Sequence, residues 1–459
     1  MDHNLKMDAP EPQFQIHTFG CKVNTYDSGL IERNIQKSNV DSTPSRIHIL
    51  NTCAVTAEAT KEAVRTIRRL KSKDPLCTVV VTGCAAQVDT GSFENLPGAD
   101  LVVANSHKMK IPEILQDYFK GKIKQKVFKS NIFHKEDLES GGGLETSHSR
   151  SFLKIQDGCN SFCTFCVIPY ARGKSRSLSI SALIDRVNHL HQKGFQEIVL
   201  TGVHIGDYED SVDGNKKQLE DLVEAVLLKT KVPRFRLTSL EPIELTNRLL
   251  ELYSDPRLCP HFHMSIQSAN SDVLKNMKRK YTQSEVEAAF YKIEKKLPNA
   301  FVGLDVIAGF PTETHEQFED TYESLARTPW TRLHVFPYSE RPGTKAAQFL
   351  NAVPWPERLH RASRLRELSS YRLCEKAKMQ VGTTKNIILL KNTKNKTRGL
   401  SRDFWNVEVE NSIGFDKLTE SEKSNQEFKV KVLKVNLNTE LSKEIFLQGE
   451  LLSENGMSR

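Results

Sequence analysis

FLKIQDGCNSFCTFCVIPYARG, residues 152–173, leads a short β-patterned run directly into Cys159, Cys163 and Cys166, then supplies no fourth cysteine. Three thiols at C-x3-C-x2-C can wrap one tight loop around a metal group. A structural zinc takes four protein ligands, and neither His nor Cys follows at finger spacing; the next histidine, His189, falls in a helical pattern. Four irons need four external ligands, so three cysteines leave one iron open, a vacancy useful only when a small molecule fills it. The missing ligand is therefore expected to be a substrate or cofactor.

Downstream the strand-then-loop pattern repeats at EIVLTGV, RFRLTSL, HFHMSIQ, FVGLDVIAGF and RLHVFPY, with amphipathic stretches such as SISALIDRVNHLHQKG and SEVEAAFYKIEKKL between them. A closed β/α barrel needs eight strands, whereas six are counted here. Residues 151–378 thus read as a partial (β/α)6 barrel and a following helix, with an open side for a bulky substrate. The cysteine loop follows the first strand, which puts it on the carboxyl-end face where such folds do chemistry. The turns TGVHIGDY, SLEP, QSANSD, GFPTET and PYSERPG should ring that face.

Upstream, residues 12–130 alternate Val/Ile-rich runs with amphipathic helices, the pattern of a doubly wound parallel sheet covered on both sides. Cys21, Cys53 and Cys84 end its first three strands, 32 and then 31 residues apart, an interval of one βα unit. Equal steps bring the three thiols to one sheet edge, each near a helix N-terminus that favours thiolate. A buried structural cysteine explains any one of them, but three at equivalent strand ends points to a shared site. Cys77 opens the third strand at the opposite edge, and Cys259 and Cys374 lack partners at ligand spacing; all three are assigned to packing.

Residues 131–150, with HKEDLESGGGLETSHSR, read as a linker. The helix PERLHRASRLRELSSYRLCEKAK places Leu359, Ala362, Leu365 and Leu368 at every third position beside Arg358, Arg361 and Arg364, so one side can pack while its neighbour carries positive charge. From 379 to 453 short β-like runs joined by polar turns predict a small antiparallel barrel. Phe404 and Trp405 there, if exposed, would suit base stacking, against the equal expectation that aromatics of a small barrel belong to its core.

The chain has 459 residues, room for about three domains, and nine cysteines. The stretch MDHNLKMDAPEPQFQIHTFG has no signal-peptide core and no run reaches 18 apolar residues, so a cytoplasmic protein without a membrane partner is expected. Reduced thiols then favour metal or redox chemistry over disulfides. Lys and Arg outnumber Asp and Glu by 65 to 57, for a net charge of +8. The excess collects in RTIRRLKSK (65–73), KNMKRK (275–280) and KNTKNKTR (391–398). Each alone reads as a solvated face; together they can neutralise phosphates.

With these residues on the page, the cysteine loop after the first strand of a partial barrel resembles the radical S-adenosylmethionine enzymes, in which that molecule's amino and carboxylate groups occupy the open iron. The resemblance puts S-adenosylmethionine near LTG, SLEP, SIQS and the GF before Pro311, naming Thr201, Gly202, Ser239, Glu241, Gln267, Ser268 and Gly309 as cofactor contacts. TFGCKVNTYDS, NTCAVT and VVTGCAAQ look like the methylthiotransferases, which implies a second [4Fe-4S] cluster on Cys21, Cys53 and Cys84 beside the one on Cys159, Cys163 and Cys166. GCKVN, GVHIGDY and HVFPYSERPGTKA look most like the branch that methylthiolates carbon 2 of N6-threonylcarbamoyladenosine 37 in tRNA. The tail is then a TRAM-like RNA-binding barrel. Thr25, Ala269 and Leu178 depart from the branch pattern without touching a cysteine.

An aromatic C–H has no useful acidity, so no Ser-His-Asp or paired-carboxylate machinery is expected, and no catalytic residue beyond the cluster cysteines. The implied partners are a tRNA anticodon stem-loop and an electron donor of flavodoxin or ferredoxin type. The rival readings are methylthiolation of isopentenyladenosine or of a ribosomal-protein aspartate, an iron–sulfur electron carrier, and an RNA-binding module holding zinc.

Overall fold

The computed structural model describes residues 14–38, 46–136, 138, 141–142, 150–212, 214–390, 397–409, 426–437 and 445–452. The opening 13 residues, half of the linker and the stretch 391–396 of the third basic cluster lie outside the described residues. The chain divides into two compact units, Met1–Asp137 with Val167–Lys174, and Leu138–Cys166 with Ser175–Arg459.

The first unit is built on five parallel strands in sequential order: β1 (Phe14–Thr18), β2 (Ile47–Thr52), β3 (Thr78–Gly83), β4 (Leu101–Val103) and β5 (Val127–Phe128). Helices α1 (Lys22–Lys37), α2 (Ala57–Lys73), α3 (Cys84–Val88), α4 (Thr90–Glu94) and α5 (Ile111–Phe119) connect them. Alternation along the strands explains the two-sided cover. Ile47, Ile49 and Val80 pack with Ile31 and Ile35 of α1 and Ile114 of α5. Leu50, Val79 and Val81 pack with Ala63 and Ile67 of α2 on the other face. Each such fully buried Ile or Leu contributes about 1.5–3 kcal/mol. Thr56 caps α2, its hydroxyl accepting from the Ala59 N–H, worth about 1 kcal/mol.

The second unit begins with six parallel strands: β6 (Ser151–Lys154), β7 (Glu197–Thr201), β8 (Arg234–Leu237), β9 (His261–Gln267), β10 (Phe301–Ala308) and β11 (Arg332–Pro337). Ladders join β6–β7–β8 and β9–β10–β11, and a bridge between Leu240 and Met264 continues the fan across its middle. No ladder pairs β6 with β11 among the described residues, so the expected six-stranded, incomplete barrel is the observed one.

Five further strands, β12 (Thr384–Leu389), β13 (Thr397–Ser401), β14 (Asn406–Val409), β15 (Phe428–Leu437) and β16 (Ile445–Leu451), form a closed barrel. All its ladders are antiparallel except β14–β16. Closure removes every sheet edge and turns alternate residues inward.

That inward turn corrects the reading of Phe404 and Trp405 as exposed stacking groups. Trp405 is buried in the small barrel's core, and Phe404, at φ 68°, lays its ring 3.8 Å from the His261 ring. Beneath them Arg234 and Arg236 of β8 share Glu197 of β7 and donate to the carbonyls of Leu400, Ser401 and Arg402. The arginines of the long helix Trp355–Lys378 are also spent internally: Arg358 pairs with Glu340, Arg361 with Glu313 and Glu357, and Arg364 with Glu319. Carboxylates from other elements, with Glu357 of the same helix, neutralise a face that reads as basic in the sequence. No helix of the described residues is long and apolar enough to cross a membrane.

Candidate functional site: two cysteine triads at sheet edges

In the first unit, register sets the upstream thiols. Thr18 pairs with Asn51, and Thr52 with Gly83, so Cys21, Cys53 and Cys84 leave the sheet within a few residues of one another along its carboxyl edge. Side chains lock the loops together. Asn24 donates to the carbonyls of Phe19 (2.8 Å) and Thr52 (3.0 Å), and the Thr52 hydroxyl donates to the Thr82 carbonyl (2.5 Å) while accepting from the Ala86 N–H (3.3 Å). Two glycines make the approach possible. At Gly20 (φ 91°) a Cβ would stand 2.6 Å from both Cβ and Sγ of Cys53; at Gly83 (φ 96°) it would collide with the Thr52 main chain.

Burial pushes the Cys53 thiol up to about 12, with the Cys84 and Cys21 thiols adding to the rise. Thiolates that raise one another in this way are unfavourable alone and become favourable when a metal group binds them, which is the fit expected of cluster ligands. Cations stand beside them. Buried Asp27 pairs with Lys108 (2.9 Å) and Arg172 (3.1 Å), and Arg172 also donates to Asn24 Oδ1 (2.6 Å). Asn105 Nδ2 donates toward Cys84 Sγ at 3.7 Å. Arg172, from the short helix Ile168–Arg172, offsets the rise at Cys53.

In the second unit the Cys159–Cys166 loop is held at several points. Thr164 bonds main chain to main chain with Met277 (3.1 Å) and Ala346 (2.8 Å), and its hydroxyl donates to the Asn276 carbonyl (2.8 Å). Arg279 reaches into the loop: Nη1 lies 3.7 Å from Cys163 Sγ and bonds Glu241, while Nη2 donates to the Ser265 carbonyl (2.9 Å). Burial raises the Cys163 thiol, and the Arg279 guanidinium pulls it back toward thiolate. Three partly buried thiols around one loop with an adjacent guanidinium suit an iron–sulfur cluster with one protein-free iron.

A second group of charges faces Cys159. The imidazole of His204 lies 3.2 Å from Asp207 and 3.5 Å from Glu241, and bonds Glu244. Burial alone would depress its pKa, but Asp207, Cys159 and Glu244 outweigh burial and hold it protonated. Its loop is pinned by Gln156, whose Oε1 accepts from the N–H groups of Val203 (3.1 Å) and His204 (3.0 Å) and whose Nε2 donates to the Gly158 carbonyl (2.7 Å). A Cβ at Gly202 would stand 2.8 Å from Gln156 Oε1, and one at Gly206 would overlap the Glu244 carboxylate.

The seven residues expected to touch the cofactor all lie at carboxyl ends of barrel strands. Thr201 ends β7 with its hydroxyl at 3.3 Å from Thr238 Oγ1, and Gly202 follows it. Ser239 (φ 61°) and Glu241 follow β8; Gln267 (φ 65°) and Ser268 end β9. Gly309 (φ 73°) follows β10, close against Arg358. Glu241 is joined to the cysteine loop through Arg279, and Gly202 through Gln156. The Ser268 hydroxyl instead bonds Thr321 (3.1 Å) and the Asn270 N–H (3.2 Å). Of the six non-glycine residues with positive φ among those described, Phe162, Ser239, Gln267, Lys278 and Thr312 lie in loops of this face, strain of the kind that clusters where function needs it.

Sequence reasoning missed His204, Asp207, Glu244, Arg279 and Gln156. The histidine beside the loop is His204; His189 sits on the helix Ile180–Gln192. Arg279 was hidden in the basic run KNMKRK, and the i,i+3 pairing of His204 with Asp207 was the one available signal.

Comparison with known proteins agrees with this architecture. Residues 153–325 match the Radical SAM superfamily, and residues 13–104 match a family described as uncharacterized protein family UPF0004. The chain is 38% identical to the threonylcarbamoyladenosine tRNA methylthiotransferase MtaB of Rickettsia prowazekii, over 82% of this chain and 88% of that protein. The protein of that name from Aquifex aeolicus is 37% identical over 76% and 86%. A tRNA-2-methylthio-N(6)-dimethylallyladenosine synthase of Staphylococcus epidermidis is 30% identical over 80% and 73%. The structure of the radical S-adenosylmethionine methyltransferase TsrM from Kitasatospora setae shares the fold at a TM-score of 0.51 and 14% identity, with 68% of each chain covered. The chain belongs to the methylthiotransferase family of radical S-adenosylmethionine enzymes.

Proposed function

We propose that the protein transfers a methylthio group to carbon 2 of N6-threonylcarbamoyladenosine at position 37 of tRNA. The observation that carries the reading is the pair of cysteine triads, each at the carboxyl edge of a parallel sheet and each without a fourth cysteine in its loops. The Rickettsia and Aquifex relatives named for threonylcarbamoyladenosine are 38% and 37% identical, against 30% for the Staphylococcus relative named for dimethylallyladenosine, which favours this substrate.

In this account Cys159, Cys163 and Cys166 hold the [4Fe-4S] cluster that binds S-adenosylmethionine, and Cys21, Cys53 and Cys84 hold the second. When bound, the clusters and S-adenosylmethionine would supply radical chemistry, which can replace hydrogen by a methylthio group on an aromatic carbon that no acid or base could activate. The residues around them bind and orient. Arg279 offsets part of the rise that burial imposes on Cys163 and places positive charge beside its sulfur. Glu241, with Glu244 and Asp207, provides carboxylates for the cofactor's ammonium group, and Thr201, Gly202, Ser239, Gln267, Ser268 and Gly309 shape the loops around it. Buried Arg172 and Lys108 balance negative charge at the upstream thiols.

The RNA partner is the anticodon stem-loop. Exposed Lys429 and Lys431, alternating with buried Val430 and Val432 on β15, give the small barrel a cationic strip for phosphates. We infer the domain limits 12–130, 151–378 and 379–453 around a linker at 131–150, an electron donor of flavodoxin or ferredoxin type, and a cytoplasmic location. The test is nucleoside analysis of tRNA from cells with and without the gene. The 2-methylthio form of threonylcarbamoyladenosine should disappear with the gene; an unchanged nucleoside profile would refute the assignment.

A further inference from the structure

The barrel interior carries a group of side chains that the cysteine loop does not use. Along β9, β10 and β11 the buried residues Phe262, Met264, Leu304 and Val335 alternate with partly buried His263, Ser265, Asp305 and His334. Phe262 of the apolar set packs on Tyr253 at the end of the helix Asn247–Leu252, so the alternate set, whose members bond one another, takes the opposite, inner face of the strands. Register brings the interior set together: His263 pairs with Gly303, and Asp305 with His334. His263 Nε2 lies 3.0 Å from Asp305 Oδ1, and the Ser265 hydroxyl donates to Asp305 Oδ2 at 3.2 Å. The rings of His263 and His334 meet edge to face, 5.5 Å between centroids.

Three features mark this group as built to receive something. His263 Nδ1 is buried and has no hydrogen-bond partner among the described residues. Between the two rings the chain has Gly303, where a bare Cβ would already touch His263 Cδ2 at 3.7 Å and His334 Nε2 at 3.8 Å, so a longer side chain would fill the gap. The Ser265 carbonyl accepts from Arg279 and from the Tyr281 hydroxyl, both at 2.9 Å, which ties the group to the arginine beside Cys163. Burial would raise the Asp305 carboxyl, but the hydrogen bond and charge of His263, and the charge of His334, hold it below the ordinary range. Asp305 therefore stays ionised and fixes His263 through Nε2, leaving Nδ1 directed away from it.

We propose that His263 and His334, with Asp305 orienting His263, form the pocket for the carboxylate-bearing threonylcarbamoyl arm of the substrate adenosine. This rests on the substrate reading given above and adds how the substrate is told from its relatives. The arm carries a carboxylate, a hydroxyl and a ureido group, which two imidazoles can bond. A dimethylallyl arm offers none of these and would leave His263 Nδ1 desolvated without a partner, the condition under which polar sites reject apolar analogues most strongly. His334 lies in HVFPYSERPGT, a stretch that carried the branch resemblance without any site role attached to it.

The test uses the reconstituted full-length enzyme and three anticodon stem-loops, bearing threonylcarbamoyladenosine, its carboxyl methyl ester, or dimethylallyladenosine. Wild type is expected to prefer the free acid to the ester by at least about a hundredfold in kcat/KM. His334→Leu and His263→Leu should collapse that ratio toward one, and His334→Gln should restore part of it. A purely structural defect slows acid and ester alike and leaves the ratio unchanged, which would overturn the pocket. Equal rates on acid and ester by wild type would also overturn the pocket while sparing the substrate assignment, with no variant needed. Activity on the dimethylallyl stem-loop alone would overturn both.

Discussion

Gly20→Ala tests how the upstream thiols are held. The new Cβ would stand 2.6 Å from Cys53 Cβ and Sγ, about 1 Å inside ordinary contact for such atoms. The position has φ 91°, where an L side chain costs about 1–2 kcal/mol, and relieving the overlap in a packed region adds about 1–3 kcal/mol. Displacing Cys53 by a fraction of the overlap exceeds the roughly 0.5 Å within which a ligand set must be held. The variant should therefore fold with reduced stability and lose about half its iron. It should still cleave S-adenosylmethionine to 5′-deoxyadenosine but make no methylthio product. Iron per chain, thermal unfolding and product analysis read these three outcomes. Gly91→Ala is the control, since its Cβ would meet nothing within 4 Å. Full iron content and normal product from Gly20→Ala would refute the packing argument.

Arg279→Leu removes the guanidinium from Cys163 and leaves Glu241 only the more distant His204 as a charge partner; iron retention on reconstitution or 5′-deoxyadenosine formation should fall about 10–100-fold. Glu197→Gln, which strips buried Arg234 and Arg236 of their carboxylate, should cost about 3–5 kcal/mol in chemical denaturation. Burial alone would raise Glu197, but Arg236, Arg234 and Arg150 hold it far below its ordinary 4.5. A depressed carboxylate contributes in full above its unfolded pKa, so wild-type stability should decline as pH falls below 4.5 while the Gln variant shows a flatter acid limb. Charge reversal at Lys429 and Lys431 should weaken binding of all tRNAs alike and reduce the slope of log affinity against log salt by about one for each phosphate no longer neutralised.

The elements most legible in the sequence were those written in local pattern. The Val and Ile runs at Ile47–Thr52 and Thr78–Gly83, and all six barrel strands, announced themselves by alternation between helices. The spacing of Cys21, Cys53 and Cys84 carried information because one βα unit returns the chain to the same edge. What stayed hidden was made by tertiary contact. The arginines of Trp355–Lys378 look like an RNA-facing stripe until Glu313, Glu319 and Glu340 arrive from other elements. Arg279 counts as one more surface charge until the fold turns it toward Cys163. Asp27, Lys108 and Arg172 lie up to 145 residues apart, and no periodicity links them. Trp405 was misread because closure of a small barrel, rather than its polar turns, decides which way its aromatics point.

The central claim is that two separate cysteine triads each hold an iron–sulfur cluster, and iron and sulfide content tests it most directly. Intact protein should be compared with the variant carrying Cys21→Ala, Cys53→Ala and Cys84→Ala, both reconstituted without oxygen. The account predicts that the variant keeps about half the iron and sulfide and still forms 5′-deoxyadenosine. Unchanged iron in the folded variant, or zinc without sulfide in the intact protein, would contradict it.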